Sequence, residues 1–238
     1  MLRESDPEAY AGPKMPIITI SRQFGAAGVP IGRALADRYD AEFLDRAIVA
    51  QVALRAGIPE KELESYDERL PTFWQRVASA LAASSPEPAM PAMPYGEQLP
   101  TAPTHDRLVA ITRAVIEEAA ERGNAVIVGR GAAFILGRRP DMVHVQLHAT
   151  VDARVRFLLS RIEEIPEEAR PEEKSLRELC RSIDAARADY IRRLYGADWL
   201  DSTNYDLAFD TGRLGVARSV DLIDSMVGGF SDTSEAAD

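Results

Sequence analysis

Residues Ile18–Gly32 read ITISRQFGAAGVPIG, and this stretch decides the fold. The β-branched residues at its start predict a buried strand, and the helical spacing of apolar residues from Ile31 onward predicts a helix that begins near Gly28. The few residues between them include Gly25, which suits a tight loop. Backbone N–H groups between a strand and a helix N-terminus can surround an anion without help from any side chain. The stretch therefore predicts either a phosphate-binding loop or a simple strand-to-helix turn.

The loop departs from the Walker A phosphate-binding pattern, GxxxxGK[ST], at its two chemically active positions. When the pattern is laid over FGAAG, its lysine position falls on Gly28 and its hydroxyl position on Val29 or Pro30. Arg22 comes just after the predicted strand and could supply the missing charge, although a guanidinium is a planar fork and not a point charge. Gly25 and Gly28 are predicted to take the positive φ values that an anion-binding turn needs.

Further apolar runs predict four more strands, with helical patterns between them. A regular alternation of strands and helices is typical of a doubly wound parallel sheet with helices on both faces. The predicted strands are MPIITIS (15–21), AEFL (41–44), AVIVG (125–129), VHVQLHA (143–149) and YDLAF (205–209), and the clearest later helices cover 106–122 and 216–227.

These elements predict one domain over residues 17–227, with a charge-dense helical region at about 155–200. Residues 84–104 contain too many prolines for a helix or a central strand, so we expect a mobile surface loop there. Residues 1–16 and 228–238 are expected to be disordered ends.

Composition restricts the partners of the protein. The formal net charge is −10 and the chain has only three lysines, which argues against binding to nucleic acid or to an anionic membrane. Cys180 is the only cysteine, which excludes an intrachain disulfide, and no apolar stretch reaches the roughly 18 residues of a membrane span. The N-terminus also lacks a secretory pattern, and we therefore expect a cytoplasmic protein.

With these motifs in this order, the sequence resembles the cytidylate kinase-like family, a branch of the P-loop nucleoside monophosphate kinases. In ITISRQFGAAG the family's Ser-Arg-Gln-Phe-Gly replaces the Walker A pattern, so the missing lysine is shared with the branch. FLDRAIV (43–49) looks like the second-strand motif that precedes the acceptor site. IVGRGAAFIL (127–136) is similar to the stretch that directs arginine at the acceptor phosphate, with Gly131 in place of an aspartate, and residues 182–214 resemble the lid helices and the last strand.

The resemblance implies a three-layer, doubly wound P-loop NTPase fold, with a mainly parallel five-stranded sheet and a helical lid. It also implies an ATP-dependent kinase of a nucleoside monophosphate, CMP or dCMP first, with Mg²⁺ held by phosphates and water and by no protein ligands. Arginines are the implied catalytic residues, the loop binds the donor, and residues after the second and third strands bind the acceptor. The implied catalytic residues are Arg22, Arg130, Arg187 and Arg192; the loop residues are Gln23, Phe24, Gly25, Ala26, Ala27 and Gly28; the acceptor residues are Asp45, Arg46, Gly129, Arg130 and Gly131.

Two other functions stay open on the sequence alone. Gly131, in place of the aspartate, leaves room for another small phosphorylated or hydroxylated acceptor. The absent lysine and hydroxyl are also compatible with a nucleotide-binding or regulatory protein without catalysis. Among single residues, Asp45 also suits a helix N-cap, and arginines on charged helices often form surface ion pairs.

Overall fold

The computed structural model describes residues 16–45, 104–161 and 170–235. Arg46 and the proline-rich residues 84–103 lie outside these ranges. The predictions made for them stay predictions.

The described residues form a five-stranded sheet in the order β2-β3-β1-β4-β5. Every neighbouring pair is parallel, so the loops that follow the strands all emerge at one edge of the sheet. This arrangement confirms the predicted doubly wound α/β fold. The strands are β1 (Ile17–Arg22), β2 (Glu42–Leu44), β3 (Ala125–Val128), β4 (Met142–His148) and β5 (Leu207–Asp210).

Helices cover both faces of the sheet, and the side chains on both sides of its central strands are buried. Ile18 and Ile20 pack with one pair of helices, the first and the last, and Ile17 with helices on the opposite face. None of the described helices has the length and apolar character to cross a bilayer. The helices are α1 (Gly28–Tyr39), α2 (Thr104–Arg122), α3 (Ala132–Leu136), α4 (Val151–Leu159), α5 (Glu173–Tyr195) and α6 (Thr211–Glu235), with α1 and α6 on the first face and α2 and α3 on the second.

Helices α4 and α5 form a separate small core, and this core includes a residue of the glycine-containing loop. The Phe24 ring is buried among apolar side chains from both helices. The loop after β1 is therefore anchored to the α4–α5 pair by a buried aromatic side chain, which also contributes hydrophobic stabilisation. The other buried members are Val155, Leu158, Leu176, Leu179, Cys180 and Ile183.

Cys180 provides a chemical probe of this small core. Its side chain is fully buried, and desolvation raises the pKa of the thiol to about 11. Because only the thiolate reacts, a pKa two units above the ordinary value lowers the reactive fraction about 100-fold, before burial is considered. We expect a thiol reagent at pH 8 to label the native protein very slowly and the denatured protein rapidly. Fast labelling of the native protein would mean that α4 and α5 separate readily.

The last helix is longer than the sequence predicted. Helix α6 has a non-helical residue at Gly215 (φ 73°, ψ 173°) and then continues to Glu235, beyond the predicted end at Val227. This corrects the predicted disordered tail for residues 228–235. Val220, Ile223 and Val227 anchor the helix in the core, and adding turns to an existing helix costs much less than starting one.

The second face of the sheet carries buried polar side chains on β4. The Nε2 of His144 lies 2.8 Å from the carbonyl oxygen of Gly137 and its Nδ1 lies 2.6 Å from the Thr19 hydroxyl. A carbonyl can only accept, so Nε2 donates and Nδ1 accepts from Thr19. His144 thereby connects two strands and the turn after α3.

Gln146, two residues further along β4, gives a test of stability. It is 2% exposed, and neither its amide oxygen nor its amide nitrogen has a hydrogen-bond partner in the described parts of the chain. Since a buried polar group without a partner costs free energy, Gln146→Leu is expected to raise the free energy of unfolding by about 1–2 kcal/mol in chemical denaturation. Gln146→Glu should lower it, because a charge would be buried. A less stable leucine variant would show that the amide is hydrogen-bonded in solution.

Candidate functional site

The candidate site lies where the parallel strands end. In open α/β sheets, ligands bind in the crevice outside the carboxyl ends of the strands. Here β1 is central, between β3 and β4, and it ends at Arg22. The loop that follows β1 and the turn that follows β3 at Gly129 therefore lie side by side at this edge.

The loop after β1 has an alternating backbone. φ is +79° at Gly25 and +56° at Ala27, whereas Ala26 and Gly28 have no positive φ. The prediction that Gly28 takes a positive φ is wrong, because Ala27 takes that conformation as the N-cap of α1. Alternation of left- and right-handed residues turns successive N–H groups toward one side and makes a concavity for anions.

Most carbonyl groups of this loop are hydrogen-bonded within the protein. Their donors are side chains from three helices and N–H groups of the loop and of α1. An anion-binding loop needs this polarity, since carbonyl oxygens would repel a phosphate. Arg22 O accepts from Arg187 Nη1 at 2.8 Å, Gln23 O from Ala26 N at 3.2 Å, Phe24 O from Arg154 Nη1 at 3.1 Å, Ala26 O from Thr211 Oγ1 at 3.2 Å, and Ala27 O from Ile31 N at 3.1 Å.

The N–H groups of the loop show the opposite pattern. Those of Gly25, Ala27, Gly28 and Val29 donate to no other group within the described residues. Pro30 follows in the first turn of α1, where a missing N–H breaks no helical hydrogen bond. These four N–H groups are therefore the candidates for binding an anion.

The N–H groups of Gln23 and Phe24 are bound within the protein, and the predicted role of these two residues in donor binding stays a prediction. The N–H of Gln23 donates to Leu147 O at 3.0 Å, and its side-chain oxygen accepts from Ala149 N at 3.0 Å. The N–H of Phe24 donates to Asp184 Oδ1 at 2.9 Å. Both residues fix the direction in which the loop leaves the sheet.

The side chain of Arg22 crosses the site from the loop to the end of β3. A Cβ atom added to Gly28 would lie 2.7 Å from Arg22 Cγ, and one added to Gly129 would lie 2.1 Å from Arg22 Nη1. The two glycines thus leave space for the stem and for the guanidinium. Position 28 is where Walker A has lysine. Glycine is needed there because a side chain would collide with Arg22, and not because the backbone has a positive φ.

The turn after β3 has three consecutive residues with positive φ. The values are +85° at Gly129, +57° at Arg130 and +70° at Gly131. A left-handed conformation is costly for a residue with a side chain, and strained residues of this kind cluster at functional sites. The turn places Arg130 at the same edge of the sheet as Arg22, and its role at the acceptor phosphate stays a prediction.

Aromatic residues close the side of the site beyond Gly131. A Cβ atom at Gly131 would lie 3.0 Å from the Tyr195 ring and 3.1 Å from Ile191. Phe134 stacks on Tyr195 with ring centroids 5.8 Å apart and meets Tyr205 edge-on at 6.2 Å. Burial raises the pKa of Tyr205 to about 12, and its hydroxyl donates to Trp199 O at 2.7 Å. Tyr205 therefore stays protonated as a structural donor.

The two predicted lid arginines on α5 have different surroundings. Arg187 is mostly buried, with 16% of its side chain exposed, and it donates to the loop through Arg22 O. Arg192 is 67% exposed and pairs with Asp189 at 3.1 Å. The five-residue separation places them on different helix faces. Arg187 lies against the loop, and its catalytic role stays a prediction. The placement of Arg192 favours the surface ion-pair alternative.

Sequence reasoning missed the ion pair beneath the loop. Arg154 Nη1 lies 2.5 Å from Asp184 Oδ2, and the two side chains are only 4% and 13% exposed. A signal existed in α5, because Asp184 and Arg187 continue the stripe of buried residues that includes Cys180. Charged residues on the buried face of a helix indicate an interaction that the apolar pattern does not explain.

Asp45 follows β2 at the same edge of the sheet, in agreement with its predicted position. Its acceptor-binding role, like that of Arg46, stays a prediction. Among the described residues, no group of three or more acidic, histidine or cysteine side chains could hold a metal ion.

Known proteins share this architecture. An uncharacterized protein from Eubacterium ventriosum ATCC 27560 is similar in structure with a TM-score of 0.61 and 20% identity, over 90% of this chain and 98% of the other. A shikimate kinase from Bacteroides thetaiotaomicron is similar with a TM-score of 0.51 and 16% identity, over 90% of this chain and 99% of the other. At these identities the likeness shows the fold alone.

No curated protein sequence matches the chain. The match to a family is extensive, however, and covers the loop, the turn after β3 and helix α5. Residues 17–213 match the cytidylate kinase-like family, and the chain therefore belongs to that family.

Proposed function

We propose that the protein transfers the terminal phosphoryl group of ATP to a nucleoside monophosphate, with CMP and dCMP as the first acceptors to test. The polarity of the loop carries this proposal, because most of its carbonyl groups bind the protein while the N–H groups of Gly25, Ala27, Gly28 and Val29 remain for an anion. A group of N–H donors at a helix N-terminus suits the phosphates of a nucleotide. Membership in the family supports the class of reaction.

Phosphoryl transfer needs positioning and neutralisation of charge more than covalent chemistry. In this proposal the loop and Arg22 hold the donor phosphates, and Arg130 binds the acceptor phosphate from the turn after β3. Arg187 adds positive charge beside the loop. Mg²⁺ would neutralise the donor phosphates, with its remaining ligands from water.

The test is ADP release by the purified protein with ATP and Mg²⁺ against CMP, dCMP, UMP, AMP and GMP, with a reaction lacking acceptor as the control. We expect turnover that depends on the acceptor and is fastest with a pyrimidine monophosphate. ATP binding without turnover for any acceptor would instead favour a nucleotide-binding protein without catalysis. An absence of ATP binding would overturn the proposal.

A second candidate is a kinase of another small metabolite, and the packing at Gly131 favours it. A side chain at this position would lie close to the side chains of Tyr195 and Ile191, so an aspartate would require these side chains to shift. The family resemblance assigns recognition of the acceptor sugar or base to that aspartate. Because this chain has Gly131 instead, the resemblance does not identify the acceptor. Adding hydroxylated metabolites to the same panel separates the two candidates.

A further inference from the structure

The carboxylate of Asp184 lies where helix α5 meets the loop after β1. Its Oδ1 accepts the N–H of Phe24 at 2.9 Å, and its Oδ2 accepts from Arg154 Nη1 at 2.5 Å. The same Arg154 nitrogen donates to the carbonyl oxygen of Phe24 at 3.1 Å. One ion pair thus binds both backbone polar groups of a single loop residue.

This ion pair is buried under the loop and is not a surface pair. Only 4% of Arg154 and 13% of Asp184 are exposed. Buried ion pairs contribute little net stability, because removing two charges from water costs about as much as their attraction returns. Such a pair can instead fix the direction of the groups that it binds. Each of its hydrogen bonds is charge-assisted and has little competition from water.

The direction matters because Phe24 immediately precedes Gly25, the first residue of the alternating backbone. The N–H and the carbonyl group of Phe24 are both bound to the ion pair. The N–H groups of Gly25, Ala27, Gly28 and Val29, which follow it, are turned away from the protein. One turn further along α5, Arg187 Nη1 donates to Arg22 O at 2.8 Å and lies 3.8 Å from Asp184 Oδ1. Helix α5 therefore holds the loop at both Arg22 and Phe24.

We propose that Asp184 is a positioning residue that keeps the loop in its anion-binding conformation, acting through Phe24 and Arg154 and not by touching the nucleotide. The part of this inference that concerns ATP rests on the proposed function. The part that concerns the loop conformation does not depend on any ligand.

The ligand-free test compares Asp184→Asn with Asp189→Asn, a matched control on the same helix whose carboxylate is 64% exposed. Asparagine has nearly the same shape as aspartate but places N–H groups or an uncharged oxygen beside the Arg154 guanidinium. By NMR we expect hydrogen exchange of the Ala26 amide, which donates to Gln23 O and does not touch Asp184, to rise at least about 10-fold in D184N only. Unchanged exchange in a folded D184N protein would overturn the proposal.

The functional test measures ATP affinity in the same variants, together with KM for the acceptor and kcat. We expect D184N to weaken ATP binding and raise KM for ATP, while KM for the acceptor stays within about two-fold, and Asp184→Glu to recover part of the loss. A rise in KM for the acceptor with ATP affinity unchanged would place Asp184 in the acceptor site and reject the positioning role. If D184N loosens the loop while the parent protein itself binds no ATP, the proposed function fails and the positioning role stands.

Discussion

Arg22→Ala is expected to lower kcat/KM for ATP and acceptor by at least about 100-fold, the size of effect seen when one hydrogen-bond donor is removed from a preorganised site. The guanidinium lies between the loop and the turn after β3, in the space kept open by Gly28 and Gly129. Lysine is missing from the loop, so Arg22 is the residue of β1 that brings positive charge to it. Removing it leaves the backbone N–H groups but takes away the side-chain charge.

Steady-state kinetics of Arg22→Ala, Arg22→Lys and Arg113→Ala would check this expectation. Arg113 is a suitable control because it is 46% exposed on α2 and pairs only with Glu117 among the contacts that are described for it. Arg22→Lys should recover a minor part of the activity, because a point charge cannot reproduce a planar fork. Near-normal activity in a folded Arg22→Ala protein would remove this arginine from the site and leave the donor phosphates to the loop N–H groups without a side-chain charge from β1.

The fold could be predicted from local patterns because the strands are short apolar runs that helical patterns and loops separate from one another. Residues 125–128 form a short, wholly buried run, and all four lie in β3 as predicted. Such a run is typical of a parallel strand covered on both faces. The end of α6 could not be predicted in the same way. Residues 228–235 are helical because they continue an existing helix, and their own composition does not indicate a helix.

The candidate site was predictable only in part. Arg22 and Arg130 stand at strand ends, and position alone indicated a role for them. The contact between Asp184 and Phe24 joins residues 160 positions apart, and no local pattern carries information on that separation. The role of Gly28 was misread for a related reason, since it depends on the path of the Arg22 side chain and not on the backbone of the loop itself.

Gly129→Ala is expected to reduce turnover nearly as much as Arg22→Ala, although it removes no functional group. Its Cβ atom would lie 2.1 Å from Arg22 Nη1, so the guanidinium must leave its position. An arginine end is flexible and can move at little cost to the fold, so the loss of stability should come mainly from a positive φ at alanine, about 1–2 kcal/mol. The expected signature is a large loss of activity in a protein that still unfolds cooperatively.

Gly196→Ala supplies the matched control for this strain. Gly196 also has a positive φ, +65°, and a Cβ atom there would have nothing within 4 Å. We expect it to lower stability by a similar amount, about 1 kcal/mol, and to leave kcat/KM close to that of the parent protein. If both glycine variants lose activity equally, general destabilisation and not displacement of Arg22 would explain the result.

A double-mutant cycle decides whether Gly129 acts through Arg22. In an Arg22→Ala background the arginine is absent, and the added methyl group at residue 129 has no guanidinium to displace. The double variant should therefore have the activity of Arg22→Ala alone, so the two effects on the activation free energy should be far from additive. If the two losses of kcat/KM multiply, the activation free energies are additive. Gly129 would then serve the site independently of Arg22, through the left-handed turn that carries Arg130.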